Sequence, residues 1–234
     1  MPKLINSIEF GAPQDRERII LLGFQKDMLT DCGFKTNGSP LIKNFNWEQN
    51  TSYDQKDIFS KPWPYLDPFT ENSILPTPLN VPIELTVEYW FKKNDVLNHP
   101  NSSNYFTPRA GLTKFLSIQE GDDLKKSYKR LHRWRYSPTA AYGNNEVHLH
   151  PYKPRRISVA EALAIQSLPK EFVIPSNISL SNMFKSIGNG VPYLAAKGLA
   201  TNIVDFIFNN SIKNLEIAHG ETNSEQLSSI HKSA

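Results

Sequence analysis

Residues 11–18, Gly-Ala-Pro-Gln-Asp-Arg-Glu-Arg, place Gln14, Arg16 and Arg18 at alternate positions directly after a glycine–proline turn. In an extended segment, alternate side chains project from one side. That edge offers a carboxamide, which both donates and accepts, beside two guanidinium forks. These groups suit phosphates and base edges. The same pattern also describes a solvated charged edge leading into the apolar run at 19–24, and taken alone these residues leave both readings open.

A second cluster lies at 125–136, where Lys125, Lys126, Lys129, Arg130, Arg133 and Arg135 are interleaved with Tyr128, His132, Trp134 and Tyr136. Cations of this density neutralise phosphates, and the aromatics can stack on bases or pack. The alternative is an amphipathic helix with a solvated basic face and buried Leu131 and Trp134. Lys153, Arg155 and Arg156 carry the positive character up to a helix start, which is itself positive. His148 and His150 would share a face of a strand, but without a cysteine or carboxylate cluster nearby they predict no metal site. Gly188-Asn189-Gly190 permits close backbone approach to a ligand, yet it is neither a dinucleotide nor a P-loop fingerprint. Cys32 has no activating base in its neighbourhood and reads as a structural thiol.

The elements that would position these groups fall into two regimes. Residues 4–24 read as strand, turn, strand, with 19–24 as a fully buried strand. Residues 25–136 show no dominant period, and the 17 prolines of the chain punctuate this stretch heavily. Its best strand is 83–91, apolar at 83, 85, 87, 89 and 91, and no strong helix is expected before about 120, which suggests a loop-rich recognition region. After Pro151 the pattern becomes helical. Ser158-Val159-Ala160-Glu161 is a capping box opening a helix at 159–167, which Leu168-Pro169 stops. Residues 177–187 read as a polar loop, 193–208 as a second helix, and the tail from Gly220 as frayed. A length of 234 residues suffices for one or two domains. The net charge of +3 says little about an anionic partner, and a single cysteine excludes an internal disulfide or a Cys-based zinc site. With no signal-peptide pattern and no apolar run of membrane length, a reducing cytoplasm is the default expectation.

In their order, these blocks resemble the C-terminal part of a bacterial DNA (cytosine-5)-methyltransferase of the restriction–modification type. Gly11–Arg18 resembles that family's Pro-Gln-x-Arg-x-Arg block, the stretch from Arg155 through Ser158, Glu161 and Gln166 to Pro169 resembles its Arg-x-Leu-Thr-x-Arg-Glu-x-Ala-Arg-x-Gln-x-Phe-Pro block, and Ile187-Gly188-Asn189-Gly190-Val191-Pro192 resembles its closing Ile-Gly-Asn-Ala-Val-Pro. Ser137-Pro138-Thr139-Ala140 resembles the end of its target-recognition domain. The resemblance implies an α/β chain: a C-terminal fragment of a Rossmann-like class I methyltransferase fold plus a loop-rich, mostly β target-recognition domain. Residues 1–24 would be the last strands of the catalytic domain, 25–150 the recognition domain, 151–210 the small-domain helix and the return to the catalytic domain, and 211–234 a helix end and tail. It implies further that Gln14, Arg16 and Arg18 face a flipped cytosine and its flanking phosphate, Arg18 helping to hold the base at O2. Asn189, Gly190 and Val191 would line one side of an S-adenosylmethionine pocket, while Lys129, Arg130, Arg133, Arg135 and Arg155 would serve DNA binding. Arg155 and the helix after Ser158 would also scaffold the small domain. The sequence departs from the family at Val159, Ala160 and Ala164, where further arginines are common, and at Gly190, where alanine is usual.

The family's chemistry needs a Pro-Cys thiolate to attack C6 of cytosine, a Glu-Asn-Val glutamate at N3, and a Phe-x-Gly-x-Gly-Gly cofactor turn. None occurs here, and Cys32 follows Asp31 on the wrong side of the glutamine–arginine block, so no catalytic residue is expected in this chain. The expected partners are double-stranded DNA and a complementary N-terminal methyltransferase chain, in a bacterial cytoplasm beside the nucleoid. A truncated, inactive remnant and a stand-alone DNA-binding module are the alternatives. Uncovered sheet edges and apolar faces would then make the isolated chain poorly soluble.

Overall fold

Asn6 decides where the first strand stops. Strand β1 (Pro2–Asn6) runs straight into a 3-10 turn at Ser7–Phe10, because the Asn6 side chain accepts from Ile8 N while Glu9 reaches back to the Asn6 N–H. Gly11 closes that turn at φ 85°, a conformation glycine adopts without a Cβ penalty. Strand β2 (Glu17–Leu21) pairs with β1 in a two-stranded sheet. The expectation of a fully buried strand at 19–24 is corrected: β2 ends at Leu21, and Ile19 and Leu21 are 73% and 77% exposed, since no described residue covers them. The computed structural model describes residues 2–34, 45–108, 112–124, 127–140, 142 and 147–208. The expected turn at 37–40, Lys125, Lys126 and the tail from 211 lie outside the described residues.

Helices follow: α1 (Lys26–Asp31), α2 (Gln55–Ser60), α3 (Val87–Lys93), α4 (Leu112–Leu116), α5 (Val159–Ile165), α6 (Leu180–Asn189) and α7 at 193–208. The expectation of no helix before about 120 is therefore overturned, as is the strand at 83–91. Residues Ile83–Leu85 form a 3-10 turn, and Thr86 caps α3 by accepting from Tyr89 N through its hydroxyl. Val87, Trp90 and Phe91 then bury on one helical face, a spacing that the alternating apolar pattern also contains. Residues 177–187 likewise differ from the expected loop, because Ser179 caps α6, whose Met183, Phe184 and Ile187 are buried. In 45–108, 112–124, 127–140, 142 and 147–150, strand pairing is confined to isolated bridges, such as Asp67 with Glu120 and Arg130 with Leu149, so this region is loop-rich but not mostly β.

The chain divides into two compact units. The first comprises Met1–Leu4, Ile19–Asn50 and Gly198–Ala234. It is organised around Phe206, whose ring meets Phe24, Phe34 and Phe45 at centroid distances of 5.9, 5.2 and 5.4 Å. Asn202 ties α7 to the Trp47 carbonyl at 2.9 Å. Leu4, Ile19, Leu21, Val204 and Phe208 nevertheless stay exposed.

The second unit, Ile5–Arg18 and Thr51–Lys197, holds the main core. There α5 is buried along its whole length, its alanines at 160, 162 and 164 letting both α3 and α6 pack against it. The capping box forms as the sequence indicates, and the helix ends at Ile165 rather than 167. Among the described residues, no helix is long and apolar enough to cross a membrane.

Candidate functional site

The glutamine–arginine block does not present its three side chains alike. Pro13 and Asp15 bond the backbone of Ser137 from both sides, with Ser137 N donating to Pro13 O at 2.8 Å and Asp15 N donating to Ser137 O at 2.9 Å. Thr139 adds a hydroxyl bond to the Asp15 carbonyl. This docking turns Gln14 inward, where its Oε1 accepts from Ala140 N at 3.3 Å. Arg16 is also buried. Its Nη1 donates to Ala140 O at 3.0 Å, and its Nη2 to Gly188 O at 2.7 Å and Gly190 O at 3.1 Å. Burial, and then the nearby charge of Arg18, bring the Arg16 guanidinium down to about 10, with Tyr142 acting the other way. Arg18 alone of the three is exposed, its Nη1 resting on the Glu17 carbonyl at 2.6 Å. The expectation that Gln14 and Arg16 face a base or phosphate is thus corrected for this fold: both side chains are buried, Gln14 Oε1 and the two Arg16 Nη groups bond the backbone of 140, 188 and 190, and Gln14 Nε2 and Arg16 Nε are buried without a hydrogen-bond partner.

The second half of this site is the C-terminal end of α6. Gly188 is required there by close approach: a Cβ would lie 2.8 Å from the Tyr142 N. Gln166, just beyond α5, grips the same end, its Nε2 donating to Ile187 O at 2.7 Å while its backbone carbonyl accepts from Tyr193 N at 2.9 Å. Asn189 and Val191 remain exposed beside the half-buried Gly190. The expected cofactor-side residues are therefore accessible. Gln166 and Tyr142 were not singled out from the sequence; the only signal for Gln166 was its place in the helix block.

Of the described cations in the basic tract, Arg130 and Arg133 are turned inward. Arg130 is fully buried and donates to the carbonyls of Phe115, Ile118, His150 and Lys153, with Phe69 stacked 3.8 Å from its guanidinium carbon. Burial lowers its guanidinium to about 10, against an opposing effect of Glu120. Arg133 forks onto buried Glu120, at 2.8 and 2.7 Å, and reaches Ser73. Arg155 forks onto Glu161 at 2.8 and 2.7 Å. The expectation that Arg130, Arg133 and Arg155 line a DNA surface is corrected: each has its planar donors taken by carbonyls or a carboxylate. Lys129 and Arg135 are half-buried. Exposed cations sit instead at Lys92 and Lys93, on the rim of an open cleft of about 500 Å³ lined also by Thr77, Ile83, Tyr89 and Trp134.

His148 and His150 are both buried. Burial, with Lys129 adding to the effect, holds the His148 imidazole down at about 3, and His150 lies 3.4 Å from Glu161. Among the described residues, no three metal-ligating side chains come together.

The chain matches the C-5 cytosine-specific DNA methylase family over residues 1–205 and is a member of it. It is 57% identical over 208 residues to the type II methyltransferase M.NmeDI of Neisseria meningitidis serogroup C, an alignment that takes in 89% of this chain and 46% of that protein. Its identity to the type II methyltransferase M.BsuRI of Bacillus subtilis is 27%, over 92% of this chain and 45% of that one. M.MthTI of Methanothermobacter thermautotrophicus is 24% identical over 86% of this chain and 54% of its own. The chain spans about half the length of these relatives.

Proposed function

We propose that these residues form the DNA-recognition part of a type II DNA (cytosine-5)-methyltransferase, working with an N-terminal part that carries the thiol and the cofactor turn. The observation that carries this reading is the meeting, through Arg16, of two blocks 172 and 174 positions apart. Both blocks resemble parts of the family that serve the extruded base and the methyl donor.

In this reading Arg18, exposed on β2, faces the cytosine and its phosphate, while Gln14 and Arg16 shape the backbone around it. Asn189 and Val191, exposed at the end of α6, form one wall for S-adenosylmethionine, which supplies the methyl group. Gly190 lies between them and turns its carbonyl to Arg16. Extruding the base exposes C5 and C6 to reagents brought by the N-terminal part. Lys92, Lys93, Lys129 and Arg135 neutralise duplex phosphates. Such a protein acts in the bacterial cytoplasm, beside the nucleoid. The uncovered Ile19 and Leu21 on β2 support a sheet that continues onto the N-terminal part.

The test is complementation. The chain is co-expressed with an N-terminal segment bearing Phe-x-Gly-x-Gly-Gly, Pro-Cys and Glu-Asn-Val, and methyl transfer to cytosine C5 in duplex DNA is measured. Activity should need both parts. Equal activity from the N-terminal segment alone refutes the reading, as does inactivity of a stable complex of the two.

A further inference from the structure

We infer that Arg16 is a positioning residue, a clasp that holds the cofactor-side turn in register with the strand presenting Arg18, and that it touches neither base nor phosphate. What the turn and Arg18 serve rests on the function proposed above; the clasp itself rests on geometry. Helix α6 ends at Asn189, so its last carbonyls lack helical partners. Arg16 Nη2 supplies a donor to two carbonyls of that end, Gly188 at 2.7 Å and Gly190 at 3.1 Å. The positive fork also sits at the negative end of the helix dipole. On its other side Nη1 holds Ala140 O at 3.0 Å, and Gln14 Oε1 takes the Ala140 N–H, so both backbone polar groups of one residue are fixed by the same block.

No carboxylate takes part in these bonds. A buried guanidinium without a counter-ion is unfavourable unless its donors are used, and here three carbonyl dipoles take up Nη1 and Nη2, while Nε is buried without a hydrogen-bond partner. Only a planar fork spans acceptors on two sides; a lysine ammonium is a point charge and reaches one side at a time. Two residues further along, on β2, Arg18 is exposed. A shift of the clasp therefore moves the base-side arginine relative to the cofactor-side turn. Register of this kind matters because small misplacements in a bimolecular site slow reaction steeply.

The experiment compares Arg16→Lys, Arg16→Gln and Arg18→Ala with the wild-type chain. Amide hydrogen exchange is read first. In both Arg16 variants the amides of Ala140 and Gly190 should exchange at least about tenfold faster, as expected for the loss of a charged hydrogen bond, while those of Val159–Ile165 stay protected. Lysine should not rescue. Binding to a duplex is then measured against salt. Arg16→Gln should leave the slope unchanged, whereas a phosphate contact removed at Arg18 lowers it by about one. In the complemented enzyme, Arg16→Lys should raise KM for S-adenosylmethionine about tenfold with DNA affinity retained. Unchanged exchange at Ala140 and Gly190, or a salt slope lowered by one in Arg16→Gln, overturns the clasp. A wild-type pair without methyl transfer counts against the proposed function, and the exchange and salt measurements still decide the role of Arg16.

Discussion

Replacing Glu161 by glutamine should cost this fold more than any other single polar change near α5. The carboxylate is buried and fully used: Oε2 accepts from Ser158 N at 2.7 Å and Arg155 Nη1 at 2.8 Å, and Oε1 accepts from Arg155 Nη2 at 2.7 Å with His150 at 3.4 Å. Burial pushes the Glu161 carboxyl up, but the neighbouring His150 and the paired Arg155 more than reverse this and hold it below the usual carboxylate range. Glutamine keeps one acceptor oxygen and turns an NH2 toward donors. Breaking one side of a buried pair costs about 3–5 kcal/mol. Arg155 keeps a bond to the Arg156 carbonyl and a place over the Tyr105 ring, so the low end, about 3 kcal/mol, is expected. Ser158→Ala, which removes only the hydroxyl cap of Glu161 N, should cost about 1 kcal/mol. Urea unfolding followed by tryptophan fluorescence at pH 7 gives both values. The double variant Arg155→Met with Glu161→Gln should recover part of the loss, since it removes the unpaired charge. The sign with pH follows: a depressed carboxyl contributes fully above its unfolded range, and the contribution is lost as pH falls toward its folded value, so Glu161→Gln should flatten the acid limb. A Glu161→Gln loss below about 1 kcal/mol, or one no larger than that of Ser158→Ala, refutes this account of the buried pair.

Two further outcomes are expected. His148 is held neutral by burial, from an ordinary 6.5 to about 3, and takes up a proton on unfolding. Its contribution is therefore complete above about pH 6.5 and shrinks as pH drops toward 3. A His148→Phe variant, which keeps a ring against Tyr142, should lose stability less steeply between those pH values; identical slopes in urea melts would contradict the assignment. Gly188→Ala puts a methyl 2.8 Å from the Tyr142 N, against backbone that cannot give way cheaply. The expected loss is about 1–3 kcal/mol, read as a fall in Tm, and an alanine variant as stable as wild type would show that the approach relaxes.

The capping box at Ser158–Glu161 was legible because it is local: its partners are three residues apart, and any chain with that spacing can form it. The helix at 193–208 was legible from its apolar spacing for the same reason. Residues 83–91 were not, because Val87, Tyr89 and Phe91 fit a strand while Val87, Trp90 and Phe91 fit a helix. Packing of α3 against α5, seventy residues on, chose between them. The arginines show the division most sharply. The sequence by itself determined that Arg16, Arg18, Arg130 and Arg133 stand in blocks suited to anions, and that the blocks follow the order of a cytosine methylase. Only the tertiary structure decided which of them reach solvent. Arg16 met the carbonyls of Ala140, Gly188 and Gly190, Arg130 met those of Phe115 and Ile118, and Arg133 met the carboxylate of Glu120. A guanidinium spends its donors on whatever acceptors the fold brings within about 3 Å, and for these arginines the acceptors lie between 12 and 174 positions away, beyond the reach of a local pattern.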